Sequence, residues 1–492
     1  MTSGRARTLL AIWAVVAMAC GGHAVHVSTD AGTLQAAATE DQGQEEILDV
    51  GGKVEDASER GEETAGGGGG SRGCATTSNP EHGFTEDTIK IGAIMPLTGA
   101  LRPLGEQALR VIKASIDNIN SSDHVPGPLA NLNWRCPTRP GIFGRKVELK
   151  VYSLQNSTPE EALAGMRRLI DVEKVFLVRD CYLQDSLMGP ATRYQNSKGV
   201  PGIWCHYGQM PMPQLAPWNF NPGIDPKTQS AIHAGYLFGK LGAQRVAILA
   251  DPTDRDSVVR IVRRVAKHFG HSIPDDCVIL SRSQEAANGM RSQVARARTC
   301  YNPEPTDAVF AGDALQAVFG AQEAKSQGWR AADVGAQWMC TNPSCWVTSL
   351  AEVCGDACEG MITDCSTLPC VPWADPEKFP AVRNLINIRQ RYFPNEPEDA
   401  VTYGPASISS GIALWLTMAG PDLSRPAFRD TLEGLRNWSA GIGPVINTSP
   451  QDHWGGKAQW LVRFTGRRPW FDDVSGGFIS LEDVGVPGGL TR

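Results

Sequence analysis

Thr88-Ile-Lys-Ile-Gly-Ala-Ile-Met-Pro-Leu-Thr-Gly99 decides the fold. Ile89, Ile91, Ile94 and Met95 make a short apolar run that reads as a buried strand, and Pro96 ends it. The turn Leu97-Thr98-Gly99 leads into an amphipathic stretch, 105–120, that reads as a helix. The same alternation continues along the chain. Strands are predicted at 146–154, 175–178, 200–205, 245–250, 277–281 and 307–311. Helices are predicted between them at 159–172, 183–197, 227–240, 256–269, 290–299 and 315–327. Such a series makes a parallel sheet with helices on both faces. The Pro/Asn-rich stretch 211–226 divides it, so the fold class is α/β with two doubly wound lobes. A Cys-rich irregular region follows, then helices near 379–392, 400–418 and 425–435 and two late strands around 459–464 and 468–471.

The 492 residues, 41% of them hydrophobic, suffice for more than one core. The net charge of −7 is unevenly spread. Residues 21–75 carry 11 acids against 3 bases, which leaves the remainder of the chain nearly neutral. A body without a concentrated basic face is a poor partner for nucleic acid. At the start, Arg5 and Arg7 precede an apolar run, Leu9 to Met18, and the small residues Ala17 to Ala19 precede Cys20. That is a secretory signal over 1–20, too short to span a bilayer. Cys20-Gly21-Gly22 resembles a bacterial lipobox, so lipid on Cys20 is the expected membrane link. From Gly21 to about Thr77 the chain is Gly, Ala, Glu and Asp and ends in Gly66 to Gly70, which reads as a disordered tether.

There are 13 cysteines. With Cys20 spent on lipid an even number remains, as expected of a disulfide framework in an oxidising compartment. Cys277 with Cys300 and Cys181 with Cys205 each flank one β/α unit and are plausible pairs. Cys354-x3-Cys358 comes near zinc-ligand spacing but lacks the usual CxxC pairs, so no metal is expected. No phosphate loop, HExxH helix or nucleophile elbow is present, and no cofactor or catalytic residue is assigned. Asp251, Asp254 and Asp256 follow a strand directly, where open α/β sheets bind ligands; helix capping is the simpler role for them.

Residues 88–99, then Leu104-Gly105 and Ile116-Asp-Asn-Ile-Asn120, resemble the opening of the type I periplasmic binding proteins, specifically the branched-chain amino-acid binding group. Gly144-Arg-Lys-Val-Glu-Leu149 resembles that group's second strand. Phe220-Asn-Pro-Gly-Ile-Asp225 with Gln229, followed by 241–249, resembles its crossover into the second lobe. The resemblance implies a two-lobed clamp with three hinge crossings, lobe 1 from 85–222 plus 341–436 and lobe 2 from 223–340 plus 437–492. It also implies binding residues. Thr98 and Gly99 form the turn after the first strand, and Tyr182, His206 and Tyr207 follow the third and fourth, where this chain departs from the family's small hydroxyl residues. Asp254 and Asp313 follow strands of the second lobe, Asp313 either receiving a ligand ammonium or capping a helix. Tyr403 either lines the site or packs in the core. Arg102 and Arg179 favour an anion if they face the cleft.

The function so implied is capture of a small organic solute, an amino acid, amide or organic acid, by a monomeric receptor in the bacterial cell envelope. Delivery would be to an ABC permease, with lipid as the receptor's own membrane contact. A ligand sensor acting through a membrane partner and an exported Cys-rich enzyme are the competing readings.

Overall fold

The computed structural model describes residues 48–49, 73–98, 102–121, 134–155, 158–179, 185–203, 214, 216–330, 333, 336–341, 345, 348–365, 380–395, 400–438, 444–467 and 470–491. Two seven-stranded sheets organise them. The first contains β1 (Leu48–Asp49), β2 (Thr88–Pro96), β3 (Lys146–Leu154), β4 (Leu177–Arg179), β5 (Gly202–Ile203), β6 (Asn219–Ile224) and β12 (Trp454–Gly456), in the order β1-β3-β2-β4-β5-β6-β12. The second contains β7 (Val246–Ala250), β8 (Val278–Leu280), β9 (Ala308–Ala311), β10 (Gln337–Cys340), β11 (Ile362–Cys365), β13 (Ala458–Phe464) and β14 (Phe471–Ser480), in the order β14-β13-β11-β10-β9-β7-β8. From β3 to β12 the first sheet is parallel, and so is the second from β8 to β11.

Side chains of β2 alternate between two cores, as a strand covered on both faces must. Ile91, Ala93 and Met95 pack with Leu109 and Ile112 of the helix Arg102–Asn120 and with Trp415 of the helix Ala400–Ala419. Ile94 packs on the opposite face with Ala162, Met166 and Ala191. In the second lobe Ile248 and Phe310 face Ile261 and Val265, while Leu249 and Val309 face Val318 and Val294.

Three buried or half-buried arginines join distant segments by donating to backbone carbonyls. Arg145 donates to Thr85 O, Pro421 O and Thr77 O, each at 2.7 Å. Arg425 donates to Val175 O at 2.8 Å and to Phe176 O at 3.2 Å. Arg179, the last residue of β4, donates to Ser409 Oγ and Pro405 O. Burial holds Arg145 and Arg425 down to about 10, still charged at neutral pH.

Several expectations change. The folded body starts before Thr77: Cys74 is bonded to Cys136, Ala75 is buried, and Leu48–Asp49 pair antiparallel with Val151 and Lys150 at the sheet edge. Residues 1–47, with the signal and Cys20, lie outside the described residues. β11 belongs to the second sheet and β12 to the first, so the lobes exchange chain after Cys365 and again at Lys457, not at 341 and 437. The expected strand at 468–471 is instead β14, a longer hairpin partner of β13. Cys277 is bonded to Cys300 as expected, and Cys340 with Cys345 and Cys354 with Cys358 are disulfides, which removes the zinc-ligand alternative for the last pair. Cys181 and Cys205 lie outside the described residues.

The Cys74–Cys136 bridge closes a loop between residues 62 apart in sequence. Replacing both cysteines with serine is expected to cost roughly 2–4 kcal/mol by freeing the unfolded chain. Urea unfolding of the oxidised wild type and the double variant checks it, and overlapping curves would count against a structural role.

Candidate functional site

Parallel strands carry all their carboxyl ends to one edge, and ligands of open α/β sheets sit beyond that edge. In the first lobe the edge begins where Pro96 ends β2. Gly105 lies against this end, since a Cβ there would stand 2.0 Å from the Pro96 carbonyl oxygen. The Thr98 hydroxyl donates to the carbonyls of Leu154, at 2.9 Å, and Gln155, at 3.0 Å. Its single proton therefore staples the turn after β2 to the end of β3, and only its lone pairs remain for a solute. Arg179 is buried against the helix Ala400–Ala419, and exposed Arg102 pairs with Glu106 at 2.7 Å. The two arginines that could have drawn an anion have carboxylate or backbone partners.

The second lobe presents acid at the same edge. Asp251 follows β7, Asp254 stands one turn further on, and Asp313 follows β9. Asp313 is buried and caps the helix Ala314–Ser326, its Oδ1 accepting from Leu315 N at 2.8 Å and Gln316 N at 3.3 Å. These bonds are the capping that was one of its two expected roles. Asp254 stands at the N-cap position of the turn Arg255–Val259, without a side-chain bond to that turn's backbone N–H groups. Burial pushes its carboxyl up to about 7, with the neighbouring charges of Asp313 and Asp251 adding to the rise and a hydrogen bond with Ser257 opposing it. Asp256 points away, well exposed, with Arg260 at 3.8 Å. Gln316 was not anticipated: buried in the first turn after Asp313, it donates to Ser281 O, at the end of β8, at 2.7 Å. Its position just past an Asp helix cap was the available signal.

Tyr403 is fully buried, in a cluster that also holds Val111, Ala114, Val382 and Leu385. Gly99, Tyr182, His206 and Tyr207 lie outside the described residues. Among the described residues no group of three or more His, Cys, Asp or Glu side chains could hold a metal ion, and no helix is long and apolar enough to cross a membrane.

Two parallel sheets with strand ends gathered at one edge of each, joined by repeated chain crossings, are the architecture of a two-lobed solute-binding protein. The sequence profile described as periplasmic binding protein matches residues 88–468, and the chain belongs to that family, whose members are extracytoplasmic receptors rather than enzymes. Among solved structures it is similar to a leucine binding protein of Thermotoga maritima, with 17% identity, 80% of this chain and 100% of that one covered, and a TM-score of 0.61. It is also similar to a solute binding protein of an ABC transporter from R. palustris in complex with 4-hydroxybenzoate, with 15% identity, 81% and 98% covered, and a TM-score of 0.61. A third is a fatty acid ABC transporter substrate-binding protein from Thermomonospora curvata, with 18% identity, 82% and 96% covered, and a TM-score of 0.58. No curated protein matches the chain.

Since the Asp313 charge helps to raise the Asp254 carboxyl, Asp313→Asn is expected to lower that pKa while keeping an amide oxygen for the cap. Carbon-detected titration of the aspartate carboxyls measures it, and an unmoved Asp254 would show that the Asp313 charge does not contribute. Asp313→Ala removes the cap as well and is expected to cost about 1 kcal/mol of stability.

Proposed function

We propose that this protein is an extracytoplasmic receptor that captures a small organic solute between its lobes and delivers it to an ABC permease. On this reading it acts as a monomer held to the membrane by lipid on Cys20. The observation that carries the choice of solute is the acidic edge of the second lobe, Asp254 flanked by Asp251 and Asp313. Facing carboxylates attract an ammonium or an amide N–H and repel a simple carboxylate. With Arg102 and Arg179 already partnered, an amino acid or amide suits the edge better than an organic acid. Of the solutes named for structural relatives, leucine fits this charge pattern better than 4-hydroxybenzoate. Thr98, Gly99, Tyr182, His206 and Tyr207 supply the first-lobe side of the site in this reading. Asp254 supplies the charge opposite, and Asp313 acts through Asp254.

Closure follows from contacts made to both lobes at once, which favour the closed state by as much as the solute prefers it. The test is thermal shift of the full mature chain against amino acids, amides, short organic acids, sugars and polyamines. An amine-bearing solute at 100 times its Kd is expected to stabilise the folded state by about 2.7 kcal/mol. Asp254→Asn should abolish that shift. Because Asp254 ionises as pH rises through about 7, wild-type affinity for an ammonium should strengthen from pH 6 to pH 8. A carboxylic acid without an amine that binds Asp254→Asn as well as wild type would overturn the solute assignment.

A further inference from the structure

A second buried polar cluster lies within the second lobe. The Asp364 side chain is completely buried, one residue before the end of β11. Gln229 Nε2 donates to both of its oxygens, at 3.1 and 3.2 Å, and Gln459 Nε2 donates to Oδ2 at 2.9 Å. These residues come from three stretches 135 and 95 positions apart in sequence. Each stands at the second-lobe root of a different crossing. Gln229 lies in the first turns of the helix Pro226–Gly235, directly after β6 leaves the first sheet. Asp364 lies on the last strand of the second sheet before the chain returns to helices packed on the first lobe. Gln459 is the second residue of β13, just after β12 leaves the first sheet.

We infer that the Asp364 carboxyl group, gripped by Gln229 and Gln459, ties the three crossings together at their second-lobe roots and makes them turn as one hinge. A carboxyl group in an apolar core is costly unless its bonds are met, so the arrangement resists any motion that moves one root without the others. The side chains facing it are Gln229 and His233 from the helix and Gln459 from the adjoining strand. Burial alone holds His233 down to about 3, so no neighbour is charged at neutral pH. His233 is fully buried, both ring nitrogens lack a hydrogen-bond partner, and Nε2 stands 3.5 Å from Asp364 Oδ1. The carboxyl therefore has an alternative partner within reach as the roots turn. Asp364 is a positioning residue in this account, acting on the opening of the clamp and not on the solute.

Hydrogen exchange and small-angle scattering of the full mature chain test the tie without a solute, so the result is independent of the function proposed above. Gln229→Met is expected to raise exchange about tenfold both in its own helix and in 458–464, whose Gln459 grips the same carboxyl group. Gln459→Met should do the reciprocal, loosening 226–235, and both should increase the radius of gyration as the lobes move independently. Asp364→Asn, whose amide oxygen still accepts from a glutamine, should keep exchange and radius closer to wild type than Asp364→Ala does. Exchange that rises only in the element carrying each substitution, with an unchanged radius, would overturn the inference and leave the cluster as local packing.

Discussion

The backbone pairing of β12 with β6 is the constraint on which the rest of the structure depends. Trp454 stands opposite Asn221 and Gly456 opposite Ile224, two strands of one sheet separated by most of the second lobe in sequence. The approach is so close that a Cβ on Gly456 would stand 2.8 Å from Gly223 C, and one on Gly455 would stand 2.6 Å from a methyl of Ile446. His453 secures the pair from the first-lobe side. Its ring stacks on Phe220 with centroids 4.0 Å apart, with Nδ1 2.8 Å from Asn219 O and Nε2 3.2 Å from Glu433 Oε1. Because both strands run on into the second lobe, this short contact sets where the second sheet stands relative to the first.

Charge is distributed unequally between the lobes, and its use follows from burial. In the first lobe the cations Arg145, Arg179 and Arg425 are turned inward onto carbonyls, where each guanidinium satisfies backbone groups that a loop would otherwise leave to water. Their charge serves assembly and is not displayed to a solute. In the second lobe the acids Asp251, Asp254 and Asp313 gather at strand ends, and mutual repulsion with burial raises Asp254 toward neutrality. The sensitivity of this edge to pH thus comes from its carboxyl groups.

Much of this architecture was legible in the chain itself. The strands Thr88–Pro96 and Lys146–Leu154 and the helices between strands follow from apolar periodicity, and Asp225, Thr158 and Ser424 cap helices as their residue types suggest. What escaped was held together by distant contacts. No strand was expected at Trp454-Gly-Gly456, because its glycines serve a close approach to another strand, which no local pattern announces. β14 contains Asp472, Asp473, Gly476 and Gly477, residues poor in strand propensity, and forms because β13 supplies a ladder. β11 is four residues inside a Cys-rich stretch read as irregular, and nothing local marks its Asp364 as the partner of Gln229, 135 residues earlier. At the candidate site, Thr98 and Asp313 were singled out by their position after a strand. Their hydrogen bonds to carbonyls and helix amides were beyond any spacing argument.

The late arrival of β12 also has a bearing on how the protein is made. Synthesis runs from the amino end, yet the first sheet gains its last strand only when residues 454–456 emerge, after five of the second sheet's seven strands. Neither lobe is a contiguous piece of chain that can close early by itself, and pairing over such long separations is slow to form. A newly made chain therefore stays incompletely folded until it is almost finished, the condition in which a polypeptide can still be threaded through a narrow export channel.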